Sequence, residues 1–352
     1  MARVEVPYRH ELGGHCGSGA LRDLTEWAGL RWGVHAPREG LVFALSGTLD
    51  FSYARSDELF PPVYLVGRGP DLEEQYLTNV GAQFEIRATD DGDLGWKWVT
   101  DQLDRRTPVM VWADIAHLPY LRARLSMSRH DIVITGYDDD RGVALVVDND
   151  RDSVQLVPYE DLRRARSSTG FPVPTRHTAY IVDWPTTAPD LAAIAGPALI
   201  RSAQAMAAIT DSRGLTVTRD PEAQKDGLDG VEHFAVDVAA WPDALDDHNL
   251  ESALFALWAF IEKAGTGGGL FRALQADGCR SIANLLHSEA ALEASRAARE
   301  VSTAWTEVAR MAYNPGTPLR ARAAATAAAA ERVPDAEKRL TESLFAAGAA
   351  LT

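Results

Sequence analysis

Residues 130–137 and 143–150 are both rich in β-branched residues, and Asp138-Asp139-Asp140-Arg141-Gly142 separates them. A turn-forming cluster between two apolar runs predicts a β-hairpin. In an antiparallel pair the start of one strand lies beside the end of the other. His130 opens the first run, and Asp148 closes the apolar part of the second. Local geometry alone therefore brings an imidazole to a carboxylate. Asn149 and Asp150 are rivals for the carboxylate position, but Asp148 ends the apolar strand and is preferred.

A histidine oriented by an acceptor needs a nucleophile to work on. The chain has 2 cysteines, Cys16 and Cys279. Cys16 stands in His15-Cys16-Gly17-Ser18-Gly19, and apolar positions 20, 21, 24, 27 and 28 follow at helical spacing. Cys16 thus falls at or just before the first turn of a helix. Unpaired backbone N–H groups and the positive end of the helix dipole favour a thiolate there. Taken alone, Cys16 reads as a small buried hydrophobe and His130 as a core histidine. Together with Asp148 they read as a Cys16, His130, Asp148 triad. His15 is a weaker base, because sequence neighbours point different ways. Cys279 lies on a predicted helix without a nearby base and is expected to be unreactive. His117, His177 and the other histidines lack partners at ligand spacing, so no metal site is expected.

The rest of the chain divides near Pro185-Thr186-Thr187-Ala188-Pro189. Before it, 40–53 is a buried helix or strand, 63–67 a buried strand and 72–80 a helix. An amphipathic helix over 93–103 and a central strand over 108–114 follow, and 180–184 reads as a closing strand. After it the chain is Ala-rich and helical: 190–210, a charged loop around 219–232, then 243–264, 270–287, 289–313 and 318–349. The division predicts domains over 1–185 and 190–352, in an α+β chain. Gly265-Thr266-Gly267-Gly268-Gly269 follows a helix and lacks the Lys-Ser/Thr ending of a phosphate loop, so it reads as a helix-to-helix turn in preference to a substrate loop. Arg105-Arg106 and Arg163-Arg164 read as solvated helix faces.

A net charge of -15 argues against a nucleic-acid or anionic-membrane partner. The absence of a disulfide framework points to a reducing compartment. No apolar signal core occupies the first residues, and no apolar run reaches the roughly 20 residues of a membrane helix. A cytoplasmic protein is expected.

The order Cys, His, Asp is similar to that of papain-like enzymes, which place the cysteine on a helix and the other two on neighbouring strands. Papain-like and bacteriocin-processing cysteine peptidases often carry a Gln about six residues before the cysteine as an oxyanion donor. Here that offset holds His10, which is taken as the oxyanion candidate. More broadly, the chain resembles the butirosin biosynthesis protein H family. The resemblance rests on His15 to Leu21, Gly67-Arg68, residues 108–114, Leu118-Pro119-Tyr120, residues 130–138, and residues 260–272 in the second half. It implies a papain-like cysteine-protease fold in the N-terminal domain and a mainly α-helical C-terminal domain. It also implies a cysteine-dependent acyltransferase of natural-product biosynthesis. The acyl donor would be an acyl or peptidyl carrier protein bearing phosphopantetheine, with no bound cofactor, and the acceptor a small molecule. In the matched stretches Asp114, Tyr120 and Arg272 are substrate-binding candidates; Arg272 meets a carboxylate or the phosphopantetheine phosphate, or pairs with Glu262. Carrier proteins are typically acidic, so docking on this acidic chain needs a local basic patch, and Arg122, Arg124 and Arg129 are nearest His130. A peptidase or amidase uses the same triad, and a binding protein that keeps the fold is argued against by the intact set.

Overall fold

A computed structural model describes residues 3–123, 126–208, 217–218 and 223–352. The chain opens with strand β1 (Arg3–Glu5) and helix α1 (Cys16–Trp27), followed by α2 (Glu39–Ser46), β2 (Leu49–Arg55), β3 (Val63–Arg68) and α3 (Leu72–Asn79). Next come β4 (Gln83–Arg87), α4 (Gly92–Asp104), β5 (Val109–Ala113), β6 (His130–Asp138), β7 (Val143–Val147), β8 (Gln155–Pro158), α5 (Tyr159–Arg166) and β9 (Ala179–Asp183). The remainder is α6 (Leu191–Met206), β10 (Gln224–Asp226), α7 (Gly227–Ala244), α8 (Asp247–Trp258), α9 (Arg272–Leu286), α10 (Glu289–Ala312), α11 (Leu319–Ala330) and α12 (Val333–Leu351). The architecture is α+β. No helix among the described residues is long and apolar enough to cross a membrane.

Two compact units result: Met1–Pro37 with Val80–Ala188, and Arg38–Asn79 with Pro189–Thr352. The first is built on a 7-stranded antiparallel sheet of order β4-β9-β5-β6-β7-β8, with β1 also on β6. β7 takes one edge of β6; β5 and β1 share the other, pairing with its first and last parts. Period-two alternation sends Val109, Val111, Ala113, Ile132, Ile134, Ala144 and Val146 into one core, which Val99 and Leu103 of α4 and Leu162 and Ala165 of α5 complete. The expected hairpin is β6–β7. Val133 pairs with Val147, and a bulge between Ile134 and Gly136 shifts the register beyond.

The division differs from the expected 1–185 and 190–352 because residues 38–79 join the helical unit. There β2 lies between β3 and β10 in a 3-stranded sheet, and α2 packs on α9. Gly40 and Gly278 make that helix crossing close: a Cβ on Gly40 would lie 2.7 Å from the Leu274 carbonyl and 2.8 Å from the Gly278 nitrogen. This long-range packing leaves no local signature in the sequence. Residues 40–53 turn out to be helix and strand in succession, broken at Gly47 with φ 67. The strand expected to close the sheet, β9, is internal to it, between β4 and β5. The charged stretch 219–232 already contains the start of α7, while 219–222 lie outside the described residues. Residues 318–349 form two helices, with Pro334 in the first turn of α12.

The glycine run is a turn between helices. Gly265, Gly267, Gly268 and Gly269 all have positive φ, and a Cβ on Gly269 would strike Ser302 of α10. Gly278→Ala should lower stability by about 1–3 kcal/mol through the crowded α2–α9 crossing. Thermal denaturation reads this, and a wild-type melt would contradict the close crossing.

Candidate active site

Cys16 is the first residue of α1. His15 precedes it in extended conformation, and its Nδ1 accepts the Ser18 N–H at 3.1 Å. The neighbouring histidine is therefore a helix cap. Gly17 through Thr25 are buried, while Cys16 itself is partly exposed. Small residues in the first turn let α1 sink against the sheet.

Asp148 lies just beyond β7, and its side chain is 0% exposed. Its Oδ2 accepts from His130 Nε2 at 2.9 Å and from the Tyr120 hydroxyl at 2.7 Å; its Oδ1 accepts the Asp150 N–H at 3.2 Å. Burial works to raise the Asp148 pKa, but the His130 charge and these hydrogen bonds outweigh it and hold the carboxyl below its usual range. Burial likewise opposes the charge on His130. Asp148 overcomes it, with help from Cys16, and raises the imidazole well above its usual value. With Nε2 on Asp148, Nδ1 is the nitrogen left for the Cys16 thiol.

The chain before α1 is tied to the turn after Asp148. His10 Nδ1 meets Asp23 Oδ2 at 2.6 Å, and Nε2 meets the Arg151 carbonyl at 2.6 Å. Burial lowers the His10 pKa, but the hydrogen bonds to Asp23 and Arg151 outweigh it, so the ring is held above its usual value. Gly13 donates its N–H to the Asn149 carbonyl at 3.1 Å, and Asn149 Nδ2 donates to the Gly13 carbonyl at 3.2 Å. Arg22 completes the clamp through Asp23 and the Leu12 and Glu11 carbonyls. These ties fix the start of α1 against the end of β7, and so set Cys16 against His130.

Several assignments change. His10 has both ring nitrogens committed and is no oxyanion donor; it is a clamp. Asn149 and Asp150 compete less for the carboxylate role than they support it, one through Gly13 and the other through its N–H on Asp148. Asp114 is 1% exposed and accepts from Ser126, Ser168, Ala116 N and Met127 N, so it organises a loop and has no face for substrate. Arg272 is 0% exposed within the helical unit, bound to Glu337, the Gly67 and Leu270 carbonyls and Met206. It contacts neither substrate nor Glu262, which instead accepts from Gly269 N and Thr306. Tyr120 does reach the site, but as a donor to Asp148. Of the basic patch, Arg122 is exposed, Arg129 stacks 5.0 Å over Trp112, and Arg124 lies outside the described residues. Among the described residues no group of His, Cys, Asp and Glu is arranged to hold a metal ion.

One residue at the site was not anticipated. The Cys16 thiol donates to Asp131 Oδ2 at 3.8 Å, on a residue 2% exposed. Its adjacency to His130 was the available signal. Cys279 Sγ, by contrast, is fully buried, accepts from Gln275 at 3.3 Å, and burial pushes its pKa up to about 12.

A cysteine at a helix start, with a histidine and a buried carboxylate from an antiparallel hairpin, makes a candidate thiol site in an α+β protein. Comparison with family profiles gives two matches: "Butirosin biosynthesis protein H, N-terminal" over residues 15–149, and "Domain of unknown function (DUF4872)" over 160–344, more than half of the chain. The chain belongs to the butirosin biosynthesis protein H family. No curated protein matches it.

The His130–Asp148 contact makes a prediction about charge. The folded His130 should titrate above the usual value of about 6.5, followed by NMR of the ring protons. Asp148→Asn removes the carboxylate that holds the proton and should return the midpoint downward. An unshifted midpoint in the variant would contradict the pairing.

Proposed function

We propose that this protein is a papain-like cysteine acyltransferase of natural-product biosynthesis. The supporting observation is the shared carboxylate: Asp148 Oδ2 binds His130 Nε2 at 2.9 Å, and Cys16 opens the buried helix α1. The family's description, butirosin biosynthesis protein H, supports the biosynthetic setting.

The chemistry follows from these residues. His130 Nδ1 takes the thiol proton of Cys16, and the start of α1 stabilises the resulting thiolate. The sulfur attacks a thioester carbonyl, and the C–S bond to the donor breaks. His130 returns its proton to the departing donor thiolate. Asp148 holds the imidazole in one orientation and supports its positive charge throughout. An amine or another nucleophile then attacks the acyl-Cys16 carbonyl, with His130 as base, and frees the sulfur.

The donor in this reading is an acyl or peptidyl carrier protein with a phosphopantetheine arm, and the acceptor is a small molecule. With the chain at -15, long-range attraction to an acidic carrier is absent, and docking relies on local basic groups. Arg122, exposed and two residues beyond Tyr120, is the first of them.

Intact-protein mass after incubation with an N-acetylcysteamine acyl thioester should show one acyl adduct, absent in Cys16→Ala. His130→Ala should slow its formation by about 100-fold or more. Arg122→Glu should raise KM for an acylated carrier protein and leave the small thioester unaffected. A wild type that forms no adduct but cleaves peptides would replace this reading with a cysteine peptidase.

A further inference from the structure

His10 holds the arm before α1 through both ring nitrogens, and both of them face acceptors. Nδ1 lies 2.6 Å from Asp23 Oδ2, and Nε2 lies 2.6 Å from the Arg151 carbonyl. A neutral imidazole has one N–H and can serve only one of these partners; the imidazolium serves both. Asp23 is itself arranged as an acceptor, because its Oδ1 takes the Arg22 Nε–H at 2.8 Å. The contact is shielded, with the His10 side chain 8% exposed and that of Asp23 3% exposed, so bulk water does not replace a lost partner. The charged and titratable groups around the ring are few. Asp23 and Arg22 come from α1, and the Tyr8 phenol in the arm feels the same two charges. Arg151 presents its carbonyl, while its guanidinium is turned to the Tyr120 and Asp150 carbonyls. Glu26 on α1 is paired with Arg9.

Arg151 is where this contact reaches the candidate site. Its N–H donates to the Asp148 carbonyl at 3.0 Å, its guanidinium donates to the Tyr120 carbonyl at 2.9 Å, and the same group stacks 6.0 Å over the Tyr120 ring. We propose that His10 is a protonation latch: a positioning residue that, as the imidazolium, joins the arm before Cys16 to the turn carrying Asp148, and that releases one of its two partners on losing its proton. The latch concerns the placement of α1 and holds whatever reaction the thiol performs. In neutral His10 a ring lone pair meets either Asp23 or the Arg151 carbonyl, and that contact becomes repulsive. The reciprocal Gly13–Asn149 hydrogen bonds then hold the arm to the turn with less support. Burial and the Arg22 charge oppose the imidazolium, but Asp23 and the Arg151 carbonyl outweigh them and keep the proton on above the ordinary imidazole range. The latch is therefore fully closed below about 6.5 and opens as pH rises through the folded midpoint of His10.

Two NMR measurements on the full chain test this: the 15N signals of the His10 ring, and hydrogen exchange at the Gly13 amide, each followed against pH. Near the ordinary imidazole midpoint of about 6.5, both His10 ring nitrogens should carry a proton. As pH rises through the His10 midpoint, Gly13 protection, corrected for the intrinsic exchange rate, should fall at least about tenfold. Amides in the centre of β6 and β7 should show no such step. His10→Gln does not titrate and should abolish the step at Gly13. A neutral His10 ring near pH 6.5, Gly13 protection without a step, or a step that persists in His10→Gln would each overturn the latch. The wild-type ring signals decide the matter by themselves should His10→Gln fail to fold.

Discussion

The geometry of the site depends on the enclosure of one carboxylate. The Asp148 side chain has no exposure, so its charge must be stabilised from within the protein. A buried, unpaired carboxylate costs several kcal/mol. His130 Nε2, the Tyr120 hydroxyl and the Asp150 N–H offset that cost, and each is drawn into a fixed position by doing so. His130 is consequently held through Nε2, which sets its ring orientation and leaves Nδ1 on the side away from Asp148. Tyr120 matters for the same reason. Without its hydroxyl, Oδ2 would face His130 alone in a dry environment.

The second constraint is mechanical. Cys16 and Asp148 are far apart in sequence, and nothing in α1 or β7 alone sets their separation. The join is made by the arm before α1, through His10 on the Arg151 carbonyl and the reciprocal Gly13–Asn149 hydrogen bonds. Asp23 and Arg22 on α1 grip the same arm from the other side. Side chains that look catalytic in sequence, His10 and Asn149, thus serve to hold the helix that begins at Cys16 in register with the hairpin.

How much of this was legible in the sequence follows from the range of each interaction. The β6–β7 hairpin and α1 were readable because both are local patterns, one of turn chemistry and one of helical spacing. His130 and Asp148 came with the hairpin, and Cys16 with the helix. Asp114, Arg272 and His10 were misread because a polar residue's role depends on what encloses it. Arg272 is surrounded by Glu337 and backbone carbonyls from distant segments, which no spacing rule reports. The transfer of residues 38–79 to the helical unit was hidden for the same reason: the Gly40–Gly278 approach joins segments with no local link. Asp131 was missed because its partner sulfur is on another element.

In the proposed chemistry His130, held by Asp148, keeps Cys16 reactive while buried Cys279 is inert. The most direct measurement is the rate of iodoacetamide alkylation at each cysteine across pH, in wild type and His130→Ala. Wild-type Cys16 should be labelled below the ordinary thiol range of about 8.5, and His130→Ala should lose this by at least about tenfold. Cys279 should stay unlabelled in the folded protein. Identical profiles for the two proteins, or faster labelling of Cys279, would contradict it.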